Sequence, residues 1–287
     1  MSDAEEHPGP AGPPPVDRIA QAERFLALHH RPTPLLIPNA WDAGSAKLLV
    51  SLGFEALATT SSGFAASLGR MDGTSCSDEA LANATAIVYA AGEVPVSADL
   101  ENAFGDDPST VRMTFLSAVA AGLSGASVED YSGRADDPIY DEKLAVDRVA
   151  AAVSIGHRGP VRLVVTARCE NYLRGRPDLK ATIARLQAYQ EAGADVLYAP
   201  GLTALADIKS VAESVDRPVN VLALPAGPPV AELAEAGVKR ISVGGAFAFA
   251  AYGALVTAAR ELLDSGTYGF WAGALVGREA VKEAFSG

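Results

Sequence analysis

The chain is poor in the residues that mark several common chemistries. Its 287 residues include two cysteines, four histidines, and 23 lysines and arginines against 35 acidic residues. Cys76 and Cys169 form neither a CxxC pair nor a disulfide framework. A formal charge of −12 without a basic cluster argues against nucleic-acid binding, because neutralising phosphates carries that affinity. No uninterrupted apolar run approaches the ~20 residues of a membrane span, and no basic-then-apolar leader opens the sequence. A soluble cytoplasmic protein is the expectation. His7, His29, His30 and His157 all lie away from the ends of predicted strands, which excludes a Ser-His-Asp triad or a histidine-rich metal site. His29 and His30 are expected at a partly exposed helix end. No lysine follows a predicted strand either, so a Schiff-base mechanism is set aside.

What is abundant is alternation. After a proline-rich opening (residues 1–16), expected to be a mobile tail, short β-rich runs alternate with Ala/Leu-rich segments of helical period. The predicted strands are 35–38, 56–59, 94–98, 126–129, 161–166, 196–199, 219–222 and 240–243. The helices between them begin near Asp42, Ser77, Pro108, Asp141, Asp178, Thr203, Pro228 and Phe247, several at residues suited to an N-cap or first turn. Strands apolar on both faces, each followed by a helix, predict a parallel sheet. Eight such units predict a closed (β/α)8 TIM-type barrel over residues 17–264 rather than an open doubly wound sheet, which lacks its GxGxxG fingerprint here. Residues 265–287 are expected to form a C-terminal helical segment whose apolar residues pack on a neighbour, the same barrel or another subunit's.

Active sites of such barrels lie where strands end. Polar residues follow the predicted strands at Asn39–Asp42, Thr60–Phe64, Asp99–Asn102, Glu129-Asp130, Arg168–Asn171 and Gly244-Gly245. Asp99 and Glu101, two apart in an extended segment, are expected to face one side, with Glu129 converging on them. Three carboxylates that close need a proton or a cation between them, and a hard divalent ion with oxygen ligands is the economical answer. The alternative is a set of solvated acids capping the next helices. Arg168, the one cation at these strand ends, is placed to clamp a substrate carboxylate or to pair with Glu129 or Glu170. The Ser61-Ser62-Gly63 segment is read as a turn offering a hydroxyl and amides to an anionic oxygen.

Several stretches together resemble the phosphoenolpyruvate mutase/isocitrate lyase superfamily: PNAWDAGSA (38–46), TTSSGFAASLGRMDG (59–73), SADLENAFG (97–105), GASVEDYSG (125–133), TARCENYLRG (166–175) and GVKRISVGG (237–245). The resemblance implies Asp99 as the principal Mg²⁺ ligand (Mn²⁺ being possible), with Glu101 and Glu129 as further carboxylates. It implies Ser62, Gly63 and Phe64 as the holders of a 2-oxo acid, and Arg168 as the arginine that pairs with substrate. Asp72 matches a catalytic aspartate on a loop over the reacting bond, and Trp41 and Asp42 match a pair lining the pocket. It also implies a homotetramer exchanging C-terminal helices.

The resemblance implies a Mg²⁺-dependent lyase or hydrolase that cleaves a C–C bond of a small 2-oxo or 2-hydroxy carboxylic acid, oxaloacetate- or malate-like, through an enolate. Two alternatives stand beside it: P–C chemistry on phosphonopyruvate or carboxyphosphonoenolpyruvate, and a non-catalytic metabolite binder. The loop Tyr131–Asp137 departs from the family pattern. It holds neither the cysteine and histidine of the isocitrate-cleaving lyases nor the lysine and asparagine of phosphonate-processing members.

Overall fold

The computed structural model describes residues 16–286, so all but Val16 of the expected proline-rich tail lies outside the described residues. Helix α1 (Arg18–Leu28) precedes the barrel, its first turn held by the Asp17 carboxylate accepting from the amides of Ile19 and Ala20. The first barrel strand is broken into β1 (Leu35–Ile37) and β2 (Asn39–Ala40) by Pro38, which has no amide proton to donate. Then follow α2 (Ala43–Ser51), β3 (Leu57–Thr59), α3 (Ser61–Ser67), α4 (Ser77–Ala91), β4 (Val96–Asp99), α5 (Pro108–Ala120) and β5 (Gly125–Glu129). The second half comprises α6 (Glu142–Gly156), β6 (Val164–Arg168), α7 (Leu179–Glu191), β7 (Val196–Tyr198), α8 (Leu205–Glu213), β8 (Val219–Leu222), α9 (Val230–Glu235) and β9 (Arg240–Ser242). Helices α10 (Ala246–Ser265) and α11 (Trp271–Phe285) end the chain.

Every strand pairing is parallel, and β1 pairs with β9 while β2 pairs with β3, so the ring closes at the Pro38 break. The expected TIM-type barrel forms. Between strands and helices lies the main apolar layer, including Leu57, Ile87, Phe115, Leu163, Leu186 and Ile241. A second cluster plugs the lower end of the barrel, where α1 inserts Phe25 and Leu28 beside Leu35, Ile37 and Val164. Each such side chain contributes roughly 1.5–3 kcal/mol by leaving water.

Three local expectations are corrected. Strand β6 starts later and runs further than 161–166, because Arg162 leaves the ladder to bind the buried Asp195 carboxylate (2.5 Å), which also accepts from the Val165 amide. The Ser61–Gly63 segment is not a loop turn but the first turn of α3, with Thr60 as its N-cap. His29 is 1 % exposed rather than at a partly exposed end. Its Nδ1 lies 2.8 Å from the Phe25 carbonyl, a contact only an N–H can make, so Nε2 is the acceptor turned towards Arg240 Nη1 at 3.4 Å.

Helix α10 has the length and composition to cross a membrane, although Arg260, Glu261 and Asp264 interrupt its apolar run. It packs instead on α3 and β2 through its first turns, burying Ala248. The Glu261 carboxylate then holds the corner into α11 by accepting from Thr267 Oγ1 and the amides of Gly269 and Phe270. Helix α11 returns to α2 of its own barrel, where Phe285 lies under Lys47. Leu255, Leu263, Trp271, Leu275 and Val276 stay exposed on these two helices.

Burial, with Arg240 close by, lowers the His29 pKa to about 3. The unfolded chain therefore takes this proton first, and the contribution of His29 to stability is complete above about pH 6.5 and lost as pH falls. Between pH 6.5 and 5 the loss is about 2 kcal/mol. Urea unfolding of wild type against His29→Gln should show a difference in stability that shrinks by that amount across this interval. A constant difference would contradict a neutral buried His29.

Candidate active site

The pairing register of two strands creates the centre of the site. Glu129 at the end of β5 stands directly opposite Arg168 at the end of β6. Opposite charges on neighbouring strands attract, and here Glu129 is buried and Arg168 largely shielded from solvent. Arg168 Nη2 lies 3.0 Å from Glu129 and 2.8 Å from Glu170, Nη1 lies 2.8 Å from Asp99, and Nε donates to Glu170 at 3.0 Å. Tyr198 of β7, the next strand partner, places its ring 5.3 Å from the guanidinium. Burial works against the Arg168 charge, but Glu129, Glu170 and Asp99 outweigh it and hold its pKa above the ordinary arginine value. Burial pushes the Glu129 carboxyl up, with Arg168 holding it back. Arg168 is thus bound to three protein carboxylates and has little left with which to clamp a substrate bidentately.

Asp99 is fixed from both sides: Oδ1 takes Arg168, and Oδ2 takes the amide (3.2 Å) and hydroxyl (3.0 Å) of Ser61. Glu101 reaches the same mouth by another route than strand alternation. Strand β4 ends at Asp99, and Glu101 sits in a left-handed turn with φ 50°, followed by Ala103 and Phe104 at 57° and 60°. Residues with side chains cost about 1–3 kcal/mol each in such conformations unless surroundings enforce them. Enforcement comes from Arg148 of α6, fully buried, whose guanidinium donates to the carbonyls of Asn102, Gly105 and Asp106. The Glu101 carbonyl in turn accepts from the Glu129 amide at 3.0 Å. Burial, with repulsion from Asp99 and Asp72, raises the Glu101 pKa to about 7.

A cavity of about 650 Å³ opens above these groups, lined by Asp72, Glu101, Glu129, Arg168, Tyr131 and Arg174 among others. Asp72, exposed on the loop before α4, also borders a narrower cavity of about 180 Å³ that runs into the barrel. Ser62 lines this second cavity, its Oγ 3.1 Å from Thr60 Oγ1. The expected anion-holding amides are partly taken: Ser61 N–H donates to Asp99 and Gly63 N–H to Thr60 Oγ1. Gly63 serves packing, since a Cβ there would lie 3.1 Å from Ala248 Cβ and 3.2 Å from Trp41 Cβ. Phe64 borders only a small void beside Ser75 and Glu101. Asp42 caps α2, accepting from the Ser45 amide at 2.6 Å, and Trp41 packs behind Gly63, so neither lines the two main cavities. Cys169 is buried and its thiol pKa is raised, by burial first, which makes it inert.

Asp99, Glu101 and Glu129 offer the hard oxygen donors that suit Mg²⁺ or Mn²⁺. Glu101 faces the cavity without an ion-pair partner among the described residues, and burial first, then the neighbouring Asp99 and Asp72, raise its pKa. The donor chemistry therefore fits. The side chains as they stand converge on Arg168, and no group of three His, Cys, Asp or Glu among the described residues is spaced to hold an ion.

With fold and site established, comparison with known proteins is decisive. The family model described as phosphoenolpyruvate phosphomutase matches residues 25–263. The chain belongs to the phosphoenolpyruvate mutase/isocitrate lyase superfamily. A crystal structure from Burkholderia cenocepacia J2315, whose description leaves lyase or mutase open, is 50 % identical with a TM-score of 0.90. The match covers 94 % of this chain and 97 % of that one. The 2-methylisocitrate lyase of Escherichia coli K12 is 32 % identical, over 68 % of this chain and 67 % of its own. The 2,3-dimethylmalate lyase of Eubacterium barkeri is 31 % identical over 63 % of each. Homologues of this superfamily member are lyases or mutases, and the chain is an enzyme of that kind.

Arg168→Met should cost roughly 3–5 kcal/mol of stability at neutral pH, because it leaves Glu129 buried without its cation and Glu170 with only Arg174 at 3.5 Å. Lowering the pH should recover part of that loss as the orphaned carboxylates take up protons. Urea unfolding at pH 8 and 5.5 checks it, and equal losses at both would contradict the charge-hub role.

Proposed function

We propose that this enzyme cleaves a C–C bond of a small 2-oxo or 2-hydroxy carboxylic acid, oxaloacetate- or malate-like, through an enolate. The observation that carries the reading is the mouth itself: Asp99, Glu101 and Glu129 gathered at one rim with Asp72 above them and room for a small diacid. The similarity to lyases named for 2-methylisocitrate and 2,3-dimethylmalate supports that substrate class. Asp99, Glu101 and Glu129 would hold the divalent ion on which members of the family generally depend. Bound there, it would supply positive charge to the oxygens of a 2-oxo acid as electron density moves onto them. Asp72, at the junction of the two cavities, is placed to move a proton at the carbon or leaving group. Ser62 offers its hydroxyl from the opposite wall.

The phosphonate alternative requires Arg134 or Arg174 as a partner for the phosphonate. Arg134 Nη1 is held by Asp106 at 2.8 Å and does not line the cavity. Arg174 lines it, but stacks 3.4 Å over Tyr131 with Glu170 3.5 Å away. Both observations favour C–C cleavage.

Purified enzyme with Mg²⁺ should consume oxaloacetate or a substituted malate, read by NMR of the products, and leave phosphonopyruvate unchanged. Pyruvate released from phosphonopyruvate alone would overturn the proposal in favour of P–C chemistry. In thermal melts, Mg²⁺ and oxalate together should stabilise wild type, by at least ~2.7 kcal/mol at 100 times Kd, whereas adding Mg²⁺ should give Asp99→Ala no further rise over oxalate alone. Neither turnover nor a shift in wild type would favour the metabolite-binding alternative.

We also propose a homotetramer, since α10 and α11 leave Leu263, Trp271 and Val276 exposed; the exchange of C-terminal helices that the resemblance implies would require α11 to leave the α2 of its own barrel, on which it lies here. Light scattering should give a mass near four times 29.5 kDa, and Leu263→Glu with Val276→Glu should lower it. A wild-type monomer would refute the assembly.

A further inference from the structure

Two arginines lie inside the barrel, and their surroundings differ. Arg168 is bound by three carboxylates. Arg240, at the start of β9, is 5 % exposed and has no carboxylate partner among the described residues. Its Nε donates to Asn220 Oδ1 at 2.9 Å, and Nη1 donates to Thr166 Oγ1 at 3.0 Å and faces the lone pair of His29 Nε2. These neutral acceptors orient the guanidinium but do not balance its charge. Burial accordingly lowers the Arg240 pKa to about 10. A buried charge without a counter-ion costs several kcal/mol, so a barrel that keeps one calls for an account.

The charge borders the 180 Å³ cavity that descends from the mouth. Below the mouth, the lining includes the hydroxyls of Ser97, Ser127, Ser242 and Tyr198. Asp72 and Asp99 stand at the cavity's margin, the latter already committed to Arg168 and Ser61. Hydroxyl donors around one uncompensated guanidinium make an anion-binding lining, and the volume suits a group of a few heavy atoms.

We infer that this shaft is a carboxylate subsite in which Arg240 and the surrounding hydroxyls take one carboxylate of the substrate. The subsite rests on the proposed carboxylic-acid chemistry for its biological occupant, but it binds a carboxylate without the divalent ion. Arg240 is then a specificity-determining residue. It favours substrates with a carboxylate able to reach below the rim, a task for which the committed Arg168 is not free.

The test measures binding of acetate and of oxalate in EDTA by calorimetry and thermal melts, so that failure of metal binding or turnover leaves it intact. Wild type should bind both, and Arg240→Met should weaken binding at least tenfold. In buffer free of carboxylates, Arg240→Met should melt at or above the wild-type temperature, since it removes an unbalanced buried charge. A merely structural arginine would instead lower the melting temperature on replacement and leave the carboxylate-dependent rise in place. Arg240→Lys should restore part of the binding. Should Arg240→Met not fold, Ser127→Val supplies the second arm: it narrows the shaft without touching the charge and should also weaken acetate. Wild type that binds no carboxylate, variants that bind like wild type, or tighter binding of methylphosphonate than of acetate would each overturn the assignment.

Discussion

Everything at the mouth of this barrel depends on one guanidinium. Asp99, Glu129 and Glu170 come from three different segments of the chain and converge within 3.0 Å of Arg168. Without it they would repel in a poorly solvated space, where each charge costs several kcal/mol to bury. The pairing of Glu129 with Arg168 is built into the register of β5 and β6, and slipping the register by one residue would turn both away from the mouth. From this fixed point the remaining positions follow. Asp99 turns its second oxygen to Ser61 and thereby pins the start of α3, while Glu170 brings Arg174 to the cavity wall.

The charges are distributed unequally along the barrel axis. At the rim, one Arg168 answers Asp99, Glu129 and Glu170, with Glu101 and Asp72 adding negative charge above. Deeper in, Arg240 stands among neutral partners. Beneath it, His29 is held neutral by burial and by the nearby Arg240, and the apolar plug of α1 closes the barrel. A negative rim attracts a cation, and a positive interior attracts an anion. A small carboxylic acid bridging a divalent ion and a buried arginine is the kind of ligand that satisfies both ends at once.

Placement at the strand ends was legible in the sequence. Asp99, Glu129 and Arg168 are the last residues of β4, β5 and β6, and the periodicity of the sequence sufficed to put them at one end of a barrel. It reached Glu101 for the wrong reason: the residue lies beyond the strand, in a left-handed turn held by Arg148, and nothing local in the sequence signals an arginine forty-seven positions away. Trp41 and Asp42 also end a strand but spend themselves on packing and capping, a distinction that requires side-chain positions. Arg240 reads in the sequence only as the start of a strand, and His29 only as a partly exposed helix end. Their importance arises only when the barrel closes and brings residues 211 apart in sequence into contact.

Adjacent acids show how finely the fold divides its labour. Glu129 faces the mouth, while Asp130 points the other way into the helical layer. There it accepts from Tyr189 at 2.6 Å and the Glu170 amide at 2.8 Å, with Arg185 Nη1 3.3 Å away. Asp130 therefore anchors the backbone of Glu170, whose side chain holds Arg168. The structural network behind the strands and the charged one at the mouth are joined through that residue. Neighbouring positions at the end of β5 give one acid to each network, and the rigidity of the first is what allows the second to keep Asp99, Glu129 and Glu170 around one guanidinium. Outside this frame lie the loop from Tyr131 to Asp137 and the interior shaft that Arg240 borders.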